Sequence, residues 1–217
     1  MIIAIDGPAG AGKSTVAKLL AQKLGFLYID TGAMYRALTL KTLDSGVPTN
    51  DTARIIELAR NTSIDLVNNP DGALNVMLDG KDVSKEIREP RITRYVSDVA
   101  KIKEVRDIMV SLQKRLGNMS DSVLDGRDIG TVVFPDAHRK FYIDAYFKER
   151  ALRRFKELIE AGQNVSLEEI EKDVLNRDNI DSTREVGPLK KAKDAFFIDT
   201  TNMTIQEVVD TLLTRIV

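Results

Sequence analysis

The feature that most constrains the fold is a glycine-rich loop between an apolar run and a helical pattern at the start of the chain. Residues 7–14 spell GPAGAGKS, a full match to the pattern G-x-x-x-x-G-K-[ST]. They follow the apolar run Ile2–Asp6 and open Lys13–Leu24, which has apolar side chains at helical spacing. In such a loop, backbone N–H groups and the helix N-terminus point at an anion. The segment therefore predicts a strand, a phosphate-binding loop and a helix.

This motif predicts binding of a nucleoside triphosphate together with magnesium. Lys13 would supply positive charge to the β- and γ-phosphates, and Ser14 would face the Mg²⁺ ion, directly or through water. We expect the loop and the start of its helix to contact the nucleotide through Gly7, Pro8, Ala9, Gly10, Ala11, Gly12, Lys13, Ser14 and Thr15.

Short apolar runs alternate with helical patterns along the chain, which is typical of an α/β protein with a parallel sheet. Five runs end in aspartate, at residues 2–6, 26–30, 122–125, 141–144 and 196–199. Continuous apolar runs predict strands that are buried on both faces. Ligands bind at the carboxyl ends of such strands, so each terminal aspartate has two open interpretations: a ligand contact, or a cap of the next turn or helix.

One segment, residues 49–117, departs from this alternation and has the character of an insertion. It predicts a short helix at 51–60, a small antiparallel element, and a helical stretch at 91–116 that is interrupted near Ala100. The antiparallel element is indicated by the runs 64–67 and 74–78 and the turn Asp79-Gly80.

A second segment predicts a helix–loop–helix flap. Residues 147–161 and 166–177 are charged helical stretches, and Ser166 with Glu169 forms a capping box at the start of the second one. A last helix at 204–216 also begins with a capping box and is expected to pack as a structural element.

Composition excludes several classes of site and partner. Lys and Arg number 32 against 33 Asp and Glu, so a net charge of −1 gives no field for nucleic acid or an anionic membrane. With no cysteine and a single histidine, His138, thiolate or multi-histidine metal sites are excluded. We expect His138 at the surface without a role. The chain starts without a leader pattern and has no long apolar stretch, so we expect a cytoplasmic protein. Separately, we expect a monomer.

Among phosphate-loop proteins, the sequence favours a small phosphotransferase. The N-K-x-D and D-x-x-G strings of guanine-specific switch proteins do not occur. A nucleoside monophosphate acceptor needs positive charge more than a base, because a second phosphate pKa of about 6 leaves it largely dianionic. We favour functional roles for Arg36, Arg127 and Arg184, each expected in a Gly- or Asp-rich loop, whereas Arg153 is interpreted as part of a solvated helix face.

Four motifs together resemble the bacterial cytidylate kinase family. They are residues 7–14, residues 30–36 (DTGAMYR), residues 125–135 (DGRDIGTVVFP) and the pattern R-D-x-x-D-S-x-R at 177–184. The phosphate loop is shared by many enzymes, but the other three in this order are specific to that family. The resemblance covers essentially the whole chain and implies a three-layer P-loop fold with a five-stranded parallel sheet, an inserted monophosphate-binding domain and a helical lid.

The resemblance also implies how the chain divides. The core would consist of residues 1–36, 117–146 and 178–217. The monophosphate-binding domain, with its small antiparallel insert, would span residues 37–116, and the lid residues 147–177.

In this family the acceptor is CMP or dCMP, and ATP with Mg²⁺ is the donor. The resemblance places around the acceptor phosphate Thr31, Arg36, Arg127 and Arg184. Cytosine would be read by Ser97, Arg106 and Asp128, and the ribose by Arg177 and Asp181. Lid closure would bring Arg150 and Arg154 onto the donor phosphates. The expected catalytic residues are Lys13, Arg36, Arg127, Arg150 and Arg184.

The base preference also follows from chemistry. Cytosine presents an N4–H₂ donor where uracil presents an O4 acceptor, so the Asp128 carboxylate favours cytosine, and Arg106 would donate to O2 and N3. Two alternatives remain open: a small P-loop kinase for UMP, dTMP or a metabolite alcohol, and a nucleotide sensor without phosphoryl transfer. A sensor would need the loop but not arginines in four separate segments.

Overall fold

The computed structural model describes residues 1–69, 72–160 and 162–216, and its centre is a parallel sheet. In this part of the chain the strands are β1 (Ile2–Asp6), β2 (Leu27–Asp30), β3 (Ile64–Asn68), β4 (Leu74–Leu78), β5 (Lys81–Asp82), β6 (Ser122–Gly126), β7 (Arg139–Asp144) and β8 (Phe196–Asp199). Five of them pair in parallel in the order β2-β6-β1-β7-β8. Ile3 of β1 lies opposite Val123 on one side and Arg139 on the other. The predicted five-stranded parallel sheet is confirmed.

Helices cover both faces of this sheet. In the described part of the chain the helices are α1 (Lys13–Leu24), α2 (Thr31–Asp44), α3 (Thr52–Arg60), α4 (Pro90–Ala100), α5 (Lys103–Gly117), α6 (Phe147–Glu160), α7 (Leu167–Thr183) and α8 (Ile205–Ile216), and not all of them touch the sheet. Along β1, Ile3 and Ile5 pack into a core with α1 and α8, whereas Ala4 faces a second core built with α2, α4 and α5. This alternation gives three layers. None of the helices in the described residues is long and apolar enough to cross a bilayer.

Strand β8 differs from the prediction of burial on both faces. Ile198 is buried against α8, but Phe196 and Phe197 are 44% and 56% exposed. The reason is position, because β8 is the edge strand, Phe196 is its first residue, and Phe197 lies on the opposite face from Ile198, which packs against α8. The rings of Phe196 and Phe197 lie beside Phe141 and Tyr142 of β7 instead.

The inserted segment contains α3, the antiparallel strands β3, β4 and β5, and the helices α4 and α5. Asp79 and Gly80 both have positive φ angles, of 49° and 82°, and make the predicted turn between β4 and β5. The predicted interruption lies at residues 101–102, between α4 and α5. The last residue of β3, Asn68, accepts the Tyr28 N–H at 3.3 Å and donates to the Tyr28 carbonyl oxygen at 3.0 Å. Its amide thus anchors the insert to edge strand β2.

The predicted flap corresponds to α6 and α7. The capping box is confirmed, with Ser166 accepting from the Glu169 N–H and Glu169 accepting from the Ser166 N–H. The predicted end of the first helix, Ala161, lies outside the described residues. The second helix does not end at Arg177 as predicted but continues to Thr183. Ion pairs from Asp178 and Asp181 to the rest of the molecule stabilise this polar extension.

Candidate active site

The phosphate loop joins β1 to α1, as its motif predicts. Two of its glycines are required by close backbone contacts. A Cβ at Gly7 would overlap the carbonyl oxygen of Ile143, and one at Gly10 would overlap that of Arg150. Both glycines have positive φ angles, of 153° and 75°. The loop is thereby held between the end of β7 and the first turn of α6.

Lys13 lies within this loop with its charge buried. Its Nζ donates to the Pro8 carbonyl oxygen at 2.6 Å. Burial lowers the pKa of Lys13 and the nearby Arg127 lowers it further, whereas Asp125 opposes this shift. Burial and the neighbouring Asp30 raise the pKa of Asp125 in turn. A buried ammonium group close to another cation is stabilised by an arriving polyanion, which fits a phosphate-binding lysine.

Asp125, at the end of β6, links the loop to the neighbouring strand. Ser14 Oγ donates to its Oδ2 at 2.7 Å, and the Tyr28 hydroxyl donates to its Oδ1 at 2.9 Å. Thr31 Oγ1 donates to the Asp125 carbonyl oxygen at 2.6 Å. In the sequence Asp125 is a strand end and the first residue of the motif at 125–135, with no role assigned to it, and Tyr28 is not singled out. The strand-terminal position of Asp125 is the signal that points to it.

The oxygen atoms beside the loop fit a magnesium ion. The Ser14 hydroxyl and the Asp125 carboxylate are hard donors, and Mg²⁺ usually takes one or two carboxylates and completes its shell with water and substrate phosphate. Among the described residues, no group of three or more His, Cys, Asp or Glu side chains could hold a metal by itself. The remaining ligands would therefore come from nucleotide and water.

Arg36 lies on α2 and not in a loop, so that expectation is wrong. Asp30 accepts the backbone N–H three residues further on, at 2.9 Å, and this cap starts α2 directly after β2. The Arg36 guanidinium donates to the Ile87 carbonyl oxygen at 3.3 Å and to the Thr93 hydroxyl at 2.8 Å. Both partners belong to the inserted segment, so Arg36 connects it to the core.

Arginines from four separate elements lie close enough to influence each other electrostatically. Burial, with the charges of Arg177 and Arg154, lowers the pKa of Arg36 to about 9. Burial, with the charge of Arg127, lowers the pKa of Arg177 to about 10. With these pKa values Arg36 and Arg177 stay charged at neutral pH, and neighbouring guanidinium groups repel them. A phosphate dianion placed among them would relieve this repulsion.

Asp181 on α7 provides the counter-charge next to this cluster. Its Oδ2 accepts from Arg127 Nε at 2.9 Å and lies 4.0 Å from Arg177 Nε, while its Oδ1 lies 3.5 Å from Arg184 Nη1. Burial alone would raise the pKa of Asp181, but the three guanidinium groups outweigh it and hold this pKa below its usual value. Asp181 is therefore an anion that orients three predicted acceptor-site arginines.

The predicted base readers are close together and buried. Arg106 donates from Nη2 to Asp128 Oδ2, and from Nη1 to the Ala100 carbonyl oxygen at 3.2 Å. Its guanidinium carbon lies 5.5 Å from the centre of the Tyr35 ring. Arg184 Nη2 is 3.5 Å from Asp128 Oδ1. Asp128 thus bridges two arginines that come from α5 and from the end of α7.

These residues also carry unused hydrogen-bonding capacity. Buried Arg106 Nε, Arg177 Nε and Arg184 Nη2 have no hydrogen-bond partner among the residues that the structure describes. Ser97 is buried on α4, the helix whose last carbonyl accepts from Arg106. Buried donors without partners are costly, so this cluster is suited to a ligand that presents acceptors.

The arginines of α6 have different surroundings. Arg150 is buried at the base of the phosphate loop, and its Nη1 donates to the Ala9 carbonyl oxygen at 3.0 Å. Arg154 pairs with Glu157 at 2.9 Å and adds to the arginine cluster. Arg153 is not on a solvated face as interpreted, because it donates to Thr200 Oγ1 at 3.1 Å and to the Thr200 carbonyl oxygen at 2.7 Å. Arg153 therefore anchors α6 to the loop after β8.

Asp6 is a further buried carboxylate at the edge of the sheet. It accepts the N–H groups of Ile129 and Gly130, both at 2.8 Å. Burial raises the pKa of Asp6 to about 6 although these hydrogen bonds oppose the shift. The bonds fix the π-helical turn Ile129–Val133, which directly follows Asp128. Asp6 therefore fixes a turn that follows β6, and does not cap the next turn or helix after β1 as one interpretation expected. His138 is exposed, as expected, and accepts the Ile2 N–H at 3.0 Å.

Similarity to known proteins extends over nearly the whole chain, and the model of the family described as cytidylate kinase matches residues 3–217. The chain belongs to the cytidylate kinase family. It is 51% identical over 216 residues to a cytidylate kinase of Clostridioides difficile (strain 630), covering 100% of this chain and 98% of that one. It is 53% identical over 208 residues to one of Caldanaerobacter subterraneus subsp. tengcongensis, with 96% and 91% covered. Family membership confirms the resemblance found in the sequence and a phosphotransferase acting on a nucleoside monophosphate.

Two solved structures with similar folds are more distant in sequence than these relatives. An uncharacterized protein from Eubacterium ventriosum superimposes with a TM-score of 0.52 at 14% identity, with 100% of this chain and 98% of that one covered. A shikimate kinase from Acinetobacter baumannii gives a TM-score of 0.50 at 15% identity, with 99% and 92% covered. At such identities the similarity concerns the fold alone, and it confirms the predicted α/β P-loop fold.

Proposed function

We propose that this member of the cytidylate kinase family transfers the γ-phosphoryl group of ATP to CMP or dCMP, giving ADP and CDP or dCDP. The observation that carries the proposal is the buried set Arg106, Asp128 and Arg184. It combines a carboxylate acceptor with two N–H groups, at Arg106 Nε and Arg184 Nη2, that have no hydrogen-bond partner in the described part of the chain. Cytosine presents the complementary pattern, with a donor at N4 and acceptors at N3 and O2. Uracil would set its O4 acceptor against the Asp128 carboxylate.

The donor side is the phosphate loop with Lys13 and Ser14. Backbone N–H groups of the loop and the buried Lys13 ammonium would hold the β- and γ-phosphates. A bound Mg²⁺ ion would neutralise phosphate charge, and the Ser14 hydroxyl and the Asp125 carboxylate are the residues that would hold it.

The acceptor side is the arginine cluster. Arg36, Arg127 and Arg184, with Thr31, would surround the CMP phosphate, while Arg177 and Asp181 would contact the ribose. Asp181 keeps these guanidinium groups in place through its ion pairs with Arg127 and Arg184.

The reaction needs no protein base, because the acceptor phosphate is already dianionic at neutral pH. Phosphoryl transfer passes through a loose transition state whose charge spreads over the transferred oxygens. Lys13 and the arginine cluster would stabilise that charge, and Arg154 on α6 would join them. Closure of the helical pair would exclude water and so suppress hydrolysis of ATP. Arg150 would contribute by holding Ala9 of the loop, in addition to any contact with phosphate.

The same proposal covers the organisation and setting of the chain. Residues 1–36, 117–146 and 178–217 form the proposed core, residues 37–116 the monophosphate-binding domain and residues 147–177 the lid. Because α7 runs on to Thr183 without a break, the lid and the core share one helix. We further propose a cytoplasmic monomer whose ligands are nucleotides, with no nucleic-acid or membrane partner.

The test is ADP release from ATP and magnesium with CMP, dCMP, UMP, dTMP, AMP, GMP or no acceptor, at equal concentrations. We expect turnover concentrated on CMP and dCMP. Turnover with UMP or dTMP instead would retain a P-loop kinase but refute the assigned base readers. ADP release that does not depend on any of these acceptors would refute the proposed reaction.

A further inference from the structure

Both backbone polar groups of Ala9 in the phosphate loop are held by the helices α6 and α7. Asp178 Oδ1 accepts the Ala9 N–H at 3.2 Å, and Arg150 Nη1 donates to the Ala9 carbonyl oxygen at 3.0 Å. The same Nη1 donates to Asp178 Oδ2 at 2.5 Å. Arg150 Nε also lies 3.4 Å from Asp144, at the end of β7. Ala9, Arg150 and Asp178 therefore form a closed ring of contacts, and the position of α7 affects the shape of the loop.

The turn of α7 that carries Asp178 also carries acceptor-site residues. Arg177 precedes Asp178 directly, and Asp181 follows it one helical turn later. Asp181 is fixed to Arg127, the residue after β6, at 2.9 Å. Side chains of one helical turn thus reach both the acceptor site and the donor loop. The proposed function gives roles to Arg177 and Asp181 but none to Asp178.

We propose that Asp178 is a positioning residue that couples occupation of the acceptor site to the geometry of the phosphate loop. The proposal rests on the proposed function, since it takes CMP as the ligand of α7. CMP bound to Arg177 and Asp181 would order this turn of the helix and hold Asp178 against Ala9. The loop then loses less conformational entropy when ATP binds, so the affinity for ATP rises. By linkage, ATP raises the affinity for CMP by the same factor.

Calorimetric titration tests this coupling directly. The affinity of a non-hydrolysable ATP analogue with magnesium is measured with and without saturating CMP, and the ratio is the coupling factor. For the unsubstituted protein we expect a factor of about five or more. For Asp178→Ala we expect a factor within about twofold of unity, while the affinity for CMP alone changes by less than about twofold.

Two further variants control for general damage to the fold. Asp173→Ala removes an exposed carboxylate from the same helix and is expected to retain the coupling factor. Asp178→Asn keeps an oxygen for the Ala9 N–H but loses the charge that faces Arg150, so we expect its factor to fall below half the original. If Asp178→Ala does not fold, as judged by thermal unfolding, the asparagine variant decides the question.

The outcomes separate this inference from the proposed function. A coupling factor of one in the unsubstituted protein, or an unchanged factor in the folded Asp178 variants, overturns the inference while CMP turnover stands. Absence of CMP binding and of CMP-dependent ADP release in the unsubstituted protein overturns the proposed function itself.

Discussion

Asp128→Asn tests the proposed base reader, because it changes the hydrogen-bonding character of one buried position while retaining its size. Asp128 is 5% exposed and its two carboxylate oxygens face Arg106 and Arg184. A carboxylate has about four lone-pair sites, so it can accept from both arginines and from a cytosine amino group. Asparagine has one oxygen and one amino group to distribute among these partners.

The expected size of the effect follows from the charge that is lost. A buried hydrogen bond to a charged group contributes about 1.5–3 kcal/mol, and about 1.4 kcal/mol corresponds to a tenfold change in efficiency. We therefore expect the ratio of kcat/KM for CMP to that for UMP to fall by roughly 10- to 150-fold. The new amino group could also donate to uracil O4, which acts in the same direction.

The assay is coupled ADP release over a range of CMP or UMP concentrations at saturating ATP. Asp136→Asn, which removes the same charge from an exposed position, is the control and should leave the ratio unchanged. Thermal unfolding checks that Asp128→Asn is folded. This check is needed because the substitution weakens the ion pair of buried Arg106. A folded, active Asp128→Asn enzyme with a ratio within about twofold of the original would refute the base-reading argument.

Three other substitutions test the remaining electrostatics. Lys13→Met should lower CMP-dependent turnover by about 1000-fold or more, because the phosphate charge loses its partner. It should not lower the unfolding temperature, because burying the Lys13 charge is itself costly. Tyr28→Phe deletes the hydrogen bond to buried Asp125 and should lower the free energy of unfolding in urea by about 1–3 kcal/mol. Asp6 has its pKa raised from 3.8 to about 6 in the folded state. Its contribution to stability is therefore present at low pH and lost as the pH rises through about 6. Between pH 4 and pH 7, the free energy of unfolding should fall by about 2 kcal/mol more for the unsubstituted protein than for Asp6→Asn.

Each of these has an outcome that contradicts it. Substantial turnover in folded Lys13→Met would remove Lys13 from the catalytic residues. A change below about 0.5 kcal/mol for Tyr28→Phe would mean that the hydroxyl does not support Asp125. Parallel stability curves for the unsubstituted protein and Asp6→Asn across this pH range would show that the pKa of Asp6 is not raised.

The elements that depend on local sequence could be predicted closely. β1, α1 and β8 have the predicted ends, and the turn at Asp79 and Gly80 lies where its glycine and aspartate require. Side-chain periodicity and caps act within a few residues, so they can be recognised in a single segment. The phosphate loop is of the same kind, since its glycines and its lysine are neighbours in sequence. Functional roles for Arg36, Arg127 and Arg184 could be predicted from charge and position, and the other acceptor-site residues follow from the family resemblance, but the contacts of these residues could not be predicted.

Contacts between distant segments were decided by the tertiary structure. Ser14 meets Asp125 across 111 residues, and Ala9 meets Asp178 across 169. No local pattern encodes such pairs, because they exist only when strand order and helix packing bring the segments together. The exposure of Phe197 has the same origin, since only strand order makes β8 an edge. By itself the sequence determined the strand–loop–helix units and the motifs. Tertiary packing determined which charges face each other, because burial and charge pairing depend on the whole fold.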